Sequence, residues 1–194
     1  MRKGLWRVLA VAAFFVGGGP AFYAQGPTQN QVPTEAKSRA EEMLAMWNDI
    51  GGKLVAMADD FPAENYDYKL KPEQRTFAEN LLHVAAVDYD LMSSVAGTKR
   101  GPDFGKNKHN PSREMYKSKA DVVKLIRDAV ADGAQVIREQ GDAGLDQASK
   151  MPWGNRMAHG SYKWMFAIEH SGEHYGQLVV YYRANGMVPP DSRR

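Results

Sequence analysis

Two histidines near the C-terminus, four residues apart, form the most chemically suggestive pattern in this 194-residue sequence. His170 and His174 lie in a stretch whose periodicity predicts a helix from Ser161 to Asn185. Both imidazoles therefore occupy one helix face, about one turn apart. This geometry can chelate a metal ion. Because a pair alone makes a weak site, a third ligand has to come from another part of the chain.

His83 is the candidate for that third ligand. It interrupts an apolar run over residues 81–87, where an imidazole needs a hydrogen-bond partner or a metal because an unpaired buried polar group is costly. Three imidazoles suit zinc, nickel, iron(II) or copper better than magnesium or calcium. Since protons compete for the same nitrogens, we expect metal affinity to fall below about pH 6.5.

Four further polar residues are candidates for the pocket around the metal: Glu79, Asp90, Glu173 and Gln177. Glu79 lies one turn before His83 and could orient its imidazole, although a helix-capping role fits equally well. Asp90 lies two turns from His83, too far to bond it directly. Gln177 is one turn beyond the histidine pair and is a candidate for contact with substrate.

The two remaining histidines are not expected to belong to the metal site. We expect His109 to be solvated in a basic loop, and His159 to be a helix cap or a surface residue.

Residues 170–174 also match the inverted zinc-protease pattern, in which Glu173 would be the general base. That pattern requires an acidic ligand well downstream, and only Asp191 follows, in a proline-rich tail. We therefore disfavour a protease.

Four predicted helices position these residues. Their approximate first and last residues are Thr34 or Ser38 and Asp60, Thr76 and Val95, Ser118 and Gly141, and Ser161 and Asn185. A kink is expected at Gly51 and Gly52, because glycine weakens a helix interior. The long loop over residues 97–116 is typical of a lid or cover. No alternating strand pattern appears, so the fold class is all-α, a four-helix bundle with long connecting loops.

The N-terminus resembles a secretory signal peptide. Residues 1–7 are basic, and the apolar run over residues 8–16 is too short to span a membrane. We expect residues 1–24 to be a signal peptide or, if uncleaved, an N-terminal anchor. Residues 25–33 then form a linker and residues 34–194 the folded domain. The protein is expected to be exported to the periplasm or the cell exterior.

Composition limits the classes of function. The chain contains no cysteine, which excludes disulfides, thiolate metal sites and a cysteine nucleophile. Its net charge is +2 and its basic residues are scattered, so it has no electrostatic footprint for nucleic acid. We expect a small-molecule substrate, no nucleic-acid partner and no membrane contact beyond the export signal. Monomer and homodimer both stay open.

Three blocks of sequence resemble the DinB/YfiT-like family: residues 76–85 (TFAENLLHVA), 169–178 (EHSGEHYGQL) and 182–190 (YRANGMVPP). The resemblance extends in helix order and loop pattern over nearly all of the expected mature chain. It implies a four-helix bundle with a triple-histidine metal site, carried here by His83, His170 and His174.

The same resemblance has implications for activity. Characterised relatives include thiol-dependent S-transferases and a maleylpyruvate isomerase, in which a bound metal activates a low-molecular-weight thiol. The resemblance thus implies a divalent cation that activates a thiol or water, with S-transferase or hydrolase-like chemistry. The alternative is a non-catalytic metal-binding or interaction module of the same fold. The residues alone do not decide between the two.

Overall fold

The computed structural model of the protein describes residues 37–193. The predicted signal peptide, the predicted linker and the earlier of the two predicted starts of helix 1, Thr34, lie outside the described residues. Within the described range the long helices are α1 (Arg39–Asp60), α2 (Phe77–Ala96), α3 (Lys119–Asp146) and α4 (Gly160–Ala184). The prediction of an all-α four-helix bundle is confirmed. None of the described helices is both long and apolar enough to cross a membrane.

Three helices begin at capping boxes. The side chains of Ser38, Thr76 and Ser118 each accept the backbone N–H three residues on, and the acid at that third position accepts the cap's own N–H. Each box satisfies backbone groups that the first helical turn would otherwise leave unpaired. The predicted starts at Ser38, Thr76 and Ser118 are therefore confirmed. At the other end of α2, Gly97 adopts the left-handed conformation at φ 70°.

The glycine pair in α1 has a packing role. α1 continues as helix through Gly51 and Gly52, where a kink was expected. A Cβ added to Gly51 would lie 2.7 Å from Val130 Cγ1 of α3, far inside normal contact distance. The absence of a side chain at Gly51 thus lets α1 and α3 approach closely. The predicted break at Gly141 does occur, since its φ of 56° and ψ of −161° interrupt α3 before a last short turn.

A small hairpin connects α3 to α4, where an irregular connection was expected. β1 (Ala148–Lys150) pairs antiparallel with β2 (Met157–His159). Three-residue strands are too short to show an alternating pattern, which is why no strand was predicted here. The fully buried Lys163 ties the hairpin to the bundle: its Nζ donates to Ser94 Oγ at 2.6 Å and to Ser149 Oγ at 2.5 Å.

α2 lies at the centre of the bundle, as its nearly uninterrupted apolar sequence predicts. Its buried residues include Leu81, Leu82 and Val87, which lie on three different sides of the helix. A helix that is apolar on almost every face can be stable only when neighbours cover each face. α2 therefore carries its one half-buried histidine, His83, into the interior, where α4 can reach it.

Candidate metal centre

Three histidine side chains from two helices converge inside the bundle. His83 comes from α2, while His170 and His174 come from α4, and one ligand nitrogen of each ring lies within 4.8 Å of the other two. The Nε2 atoms of His83 and His170 are 3.2 Å apart. Ligation of one ion at about 2.1 Å places ligand nitrogens about 3 to 4 Å apart. One pair already has this spacing, and rotation of the rings can bring the third nitrogen into it.

The outward-facing nitrogens of two rings are held by hydrogen bonds. His83 Nδ1 donates to the backbone carbonyl of His109 at 2.6 Å, and His174 Nδ1 donates to Asn80 Oδ1 at 3.1 Å. Asn80 is itself oriented, because its amide nitrogen donates to the carbonyl of Thr76 at 3.0 Å. Since carbonyl oxygens only accept, both Nδ1 atoms carry hydrogen and both Nε2 atoms present lone pairs. Metal-binding histidines typically have this arrangement.

His170 completes a donor set that fits a cation. Its ring stacks on Phe166, with centroids 6.1 Å apart and planes 12° apart, while its buried Nδ1 has no partner among the described residues. A hydrogen on His170 Nε2 could bond only one of the other two rings, that of His83. A divalent ion with affinity for imidazole would use the lone pairs of all three rings.

Burial favours the neutral, metal-binding form of all three imidazoles. Desolvation is the main cause that lowers the pKa of His170 to about 4 and the pKa of His174 to about 3. Desolvation also lowers the pKa of His83 below its usual value. The positive charge of Arg75 lowers the pKa of each ring further. Proton competition for the nitrogens therefore begins at a lower pH than the value of about 6.5 that the sequence led us to expect.

Two of the predicted pocket residues have other partners. Glu79 fulfils the capping role, its carboxylate accepting the Thr76 N–H at 2.7 Å, and the carbonyl of His109 takes the position on His83 that Glu79 was a candidate for. The exposed carboxylate of Glu173 accepts a hydrogen bond from the amide of Gln177 at 3.3 Å. Each carboxylate thus has a hydrogen-bond partner of its own, while the negative charge of Glu173 still acts on His83 and raises its pKa, against the larger effect of desolvation.

The expectation of a solvated His109 is wrong. Its Nε2 lies 2.6 Å from Asp90 Oδ2, and its ring meets Trp153 edge-on at a centroid distance of 5.8 Å. Asp90 does not reach His83, as predicted, but it fixes the loop that brings the His109 carbonyl to that ring. The sequence contained one clue, the acidic Asp90 on a largely apolar helix, but it did not indicate that His109 is its partner. His159 is exposed at the start of α4, as expected.

Arg75 is a second residue that sequence reasoning missed. Its guanidinium donates twice to Asn110 Oδ1, at 3.1 and 2.8 Å, and one of its nitrogens lies 3.5 Å from His83 Nδ1. Its backbone carbonyl accepts a hydrogen bond from the Tyr181 hydroxyl. Arg75 and Gln177 line a polar groove of about 680 Å³. An arginine so close to a histidine cluster can attract an anion to the site.

An apolar cavity of about 240 Å³ lies against the cluster on another side. Its walls are His83, Val87, His109, Trp153, Phe166 and His170. Two of the three converging histidines thus form part of this cavity. Two of the three connections between the long helices also contribute to it, the long loop through His109 and the hairpin turn through Trp153.

Residues 46–178 match the DinB superfamily. The chain belongs to this superfamily. No curated protein sequence is significantly similar to it.

Solved structures of the superfamily share the fold. A DinB-like protein from Bacillus cereus ATCC 10987 has a TM-score of 0.65 at 18% identity, covering 77% of this chain and 95% of its own. A DinB-like protein from Bacillus subtilis, YjoA, has a TM-score of 0.59 at 16% identity, covering 76% and 93%. YfiT from Bacillus subtilis, described as a probable metal-dependent hydrolase with an unusual four-helix bundle topology, has a TM-score of 0.57 at 13% identity, covering 80% and 93%.

Proposed function

We propose that this protein is an exported, metal-dependent enzyme that uses its three-histidine centre to activate water for hydrolysis of a small molecule. The observation that carries the proposal is the convergence of three imidazoles, two of them with Nδ1 bonded to carbonyl oxygens, which leaves each Nε2 lone pair able to bind a cation. A divalent cation such as zinc, nickel or iron(II) supplies Lewis-acid chemistry there, lowering the pKa of water or a thiol and polarising the electrophile.

The chain's own residues would hold and tune that cation. His83, His170 and His174 supply three neutral donors, which leaves room for water or substrate. The carbonyls of His109 and Asn80 keep two of the rings in the binding tautomer. The apolar cavity beside two of the rings is open to solvent and gives a substrate access to the reacting atoms.

Water is favoured over a thiol as the nucleophile for two reasons. The description of YfiT as a metal-dependent hydrolase supports hydrolysis for a chain of the same fold. The proposed export would also place the protein where low-molecular-weight thiols are scarce. Thiol transfer, the activity of other relatives that the sequence resembles, is the second reaction to test.

A non-catalytic metal-binding module is the alternative from another class. It is favoured by one observation: among the described residues, the acids near the cluster are engaged elsewhere. Glu79 caps α2, Asp90 holds His109, and Glu173 bonds Gln177. None is placed as a free general base, the group that acid–base catalysis commonly uses.

Metal analysis followed by an activity panel tests the proposal. We expect inductively coupled plasma mass spectrometry to find about one equivalent of a divalent transition metal, lost in His174→Ala and retained in the exposed control His159→Ala. The loaded protein should then hydrolyse some member of a panel of esters, amides and lactones. Turnover only with a thiol and an electrophile would indicate a transferase. Bound metal with no turnover would favour the non-catalytic module, and absence of metal would refute the centre itself.

Export is tested separately. Expression of the whole chain in a bacterial host should yield a periplasmic or secreted protein whose N-terminus, determined by mass spectrometry, lies near residue 24. A cytoplasmic product that retains residue 1 would contradict export, while a membrane-bound full-length product would indicate the uncleaved anchor.

A further inference from the structure

The cavity beside the histidine cluster is neutral and largely aromatic. Apart from the imidazoles, its walls are Val87, Trp153 and Phe166, and no acid, lysine or arginine of the described residues lines it. Trp153 contacts Phe166 at a centroid distance of 5.4 Å. A wall of aromatic rings without charge favours an apolar group and disfavours an anionic one, which would lose its hydration without gaining a partner.

The rings of this cavity form a connected arc. His109 meets Trp153 edge-on at 5.8 Å, and Phe166 stacks on His170. Trp153 and Phe166 are half-buried, so part of each ring is free to contact a ligand. Because His170 belongs to the metal centre, a group held in the arc lies next to the point where the three nitrogens converge.

The size of the cavity sets the size of the ligand group. A cavity of about 150 Å³ is sufficient for benzene. At about 240 Å³ this one, which is open to solvent on one side, has room for a substituted phenyl ring or a short branched alkyl chain.

We propose that this cavity binds an uncharged aryl group of the substrate, with Val87, Trp153 and Phe166 determining specificity and with the reactive atoms of the substrate placed at the three histidines. The inference rests on the proposed metal-dependent function and adds the substrate class, a small aryl ester, amide or related electrophile. The polar groove that contains Arg75 and Gln177 lies outside this cavity. Solvent or a second, polar group of the substrate would occupy it.

Two hydroxamic acids that share one metal-binding head test the cavity by affinity. The probes are acetohydroxamic acid and benzohydroxamic acid, titrated calorimetrically into zinc-loaded protein. Burial of roughly 100 Å² of phenyl surface gives a preference of tenfold or more for the benzo compound. In Val87→Trp, whose indole fills the cavity, we expect this ratio to fall below threefold. The control Val188→Trp, the same change at an exposed site, should keep the wild-type ratio.

A second variant covers the case in which Val87→Trp fails to fold. Trp153 lies in the hairpin turn outside the helices, so Trp153→Ala should preserve the bundle while lowering benzohydroxamate affinity at least fivefold. Acetohydroxamate affinity should change less than twofold. A wild-type ratio below threefold, or equal losses for both probes in Trp153→Ala, would overturn the inference.

A probe without a metal-binding head separates this inference from the proposed function. We expect metal-free protein to broaden the fluorine resonance of 4-fluorotoluene, and Val87→Trp to abolish the broadening. If neither hydroxamate binds but this result holds, the proposed metal function fails and the aryl cavity stands. If hydroxamates bind without a phenyl preference and 4-fluorotoluene is not bound, the cavity assignment fails and the metal function stands.

Discussion

Asn80 offers the sharpest test of how the protein tunes its histidines. Its carbonyl oxygen accepts the Nδ1–H of His174 at 3.1 Å, and both side chains are buried. In Asn80→Ala the imidazole loses the bond that holds its tautomer and orientation. Loss of such an outer partner typically costs about 10- to 100-fold in metal affinity, or about 1.4 to 2.7 kcal/mol. We expect the dissociation constant for zinc to rise by this factor.

A matched variant separates this effect from simple loss of a backbone hydrogen bond. The amide of Asn80 also donates to the Thr76 carbonyl at 3.0 Å, and the amide of Asn185 makes an equivalent bond to the Tyr181 carbonyl at 2.8 Å, at the end of α4. Asn185→Ala should therefore lose similar stability in thermal unfolding while keeping wild-type zinc affinity. Competition with a chromophoric chelator measures the zinc affinity of both variants. Zinc affinity of Asn80→Ala within threefold of wild type would refute the reasoning.

Three further predictions concern charge and pH. At a separation of about 7 Å and an effective dielectric constant of about 80, the half-exposed Arg75 repels a divalent cation by about 1 kcal/mol. Arg75→Gln should therefore bind zinc about fivefold more tightly in the chelator competition, with Arg127→Gln as an unaffected control; unchanged affinity in Arg75→Gln would contradict this. The zinc affinity of the wild type, measured at pH values from 8 to 5, should stay unchanged to below pH 6, because burial lowers the pKa of His170 to about 4 and that of His174 to about 3. A loss of zinc affinity with a midpoint near pH 6.5 would contradict this prediction. Finally, burial raises the pKa of Asp88 well above its usual value, and its Oδ1 has no partner among the described residues. A raised carboxyl pKa means that the folded state binds the proton more tightly than the unfolded state, so this contribution to stability is complete below about pH 3.8 and is lost as pH rises. Asp88→Asn should thus raise the free energy of unfolding by about 1 to 3 kcal/mol at pH 7, with a gain that shrinks towards pH 4 in urea titrations; an equal effect at both pH values would rule out this explanation.

Local chemistry made the helix starts and the bundle predictable. A serine or threonine followed three residues later by an acid satisfies the first helical turn whatever the rest of the fold does, so Ser38 and Thr76 marked α1 and α2 correctly. The apolar sequence around His83 likewise required α2 to be central. The spacing of His170 and His174 fixed their shared face, and the structure places His83 opposite them.

Features that depend on contacts distant in sequence could not be predicted. His109 is fixed by a loop whose path depends on Asp90, and no local pattern records that bond. The position of Arg75 next to His83 follows from how the connector before α2 folds back. At Gly51 a local pattern was misleading. A glycine inside a helix suggested a kink, but the structure shows that the missing side chain allows close packing against Val130.

X-ray absorption spectroscopy of the metal-loaded protein tests the central claim most directly. We predict one ion with three imidazole nitrogens at about 2.0 to 2.1 Å and at least one oxygen ligand, with the number of imidazoles falling to two in His83→Ala. A first shell with fewer than three imidazoles in the wild type, or one unchanged in His83→Ala, would contradict the account.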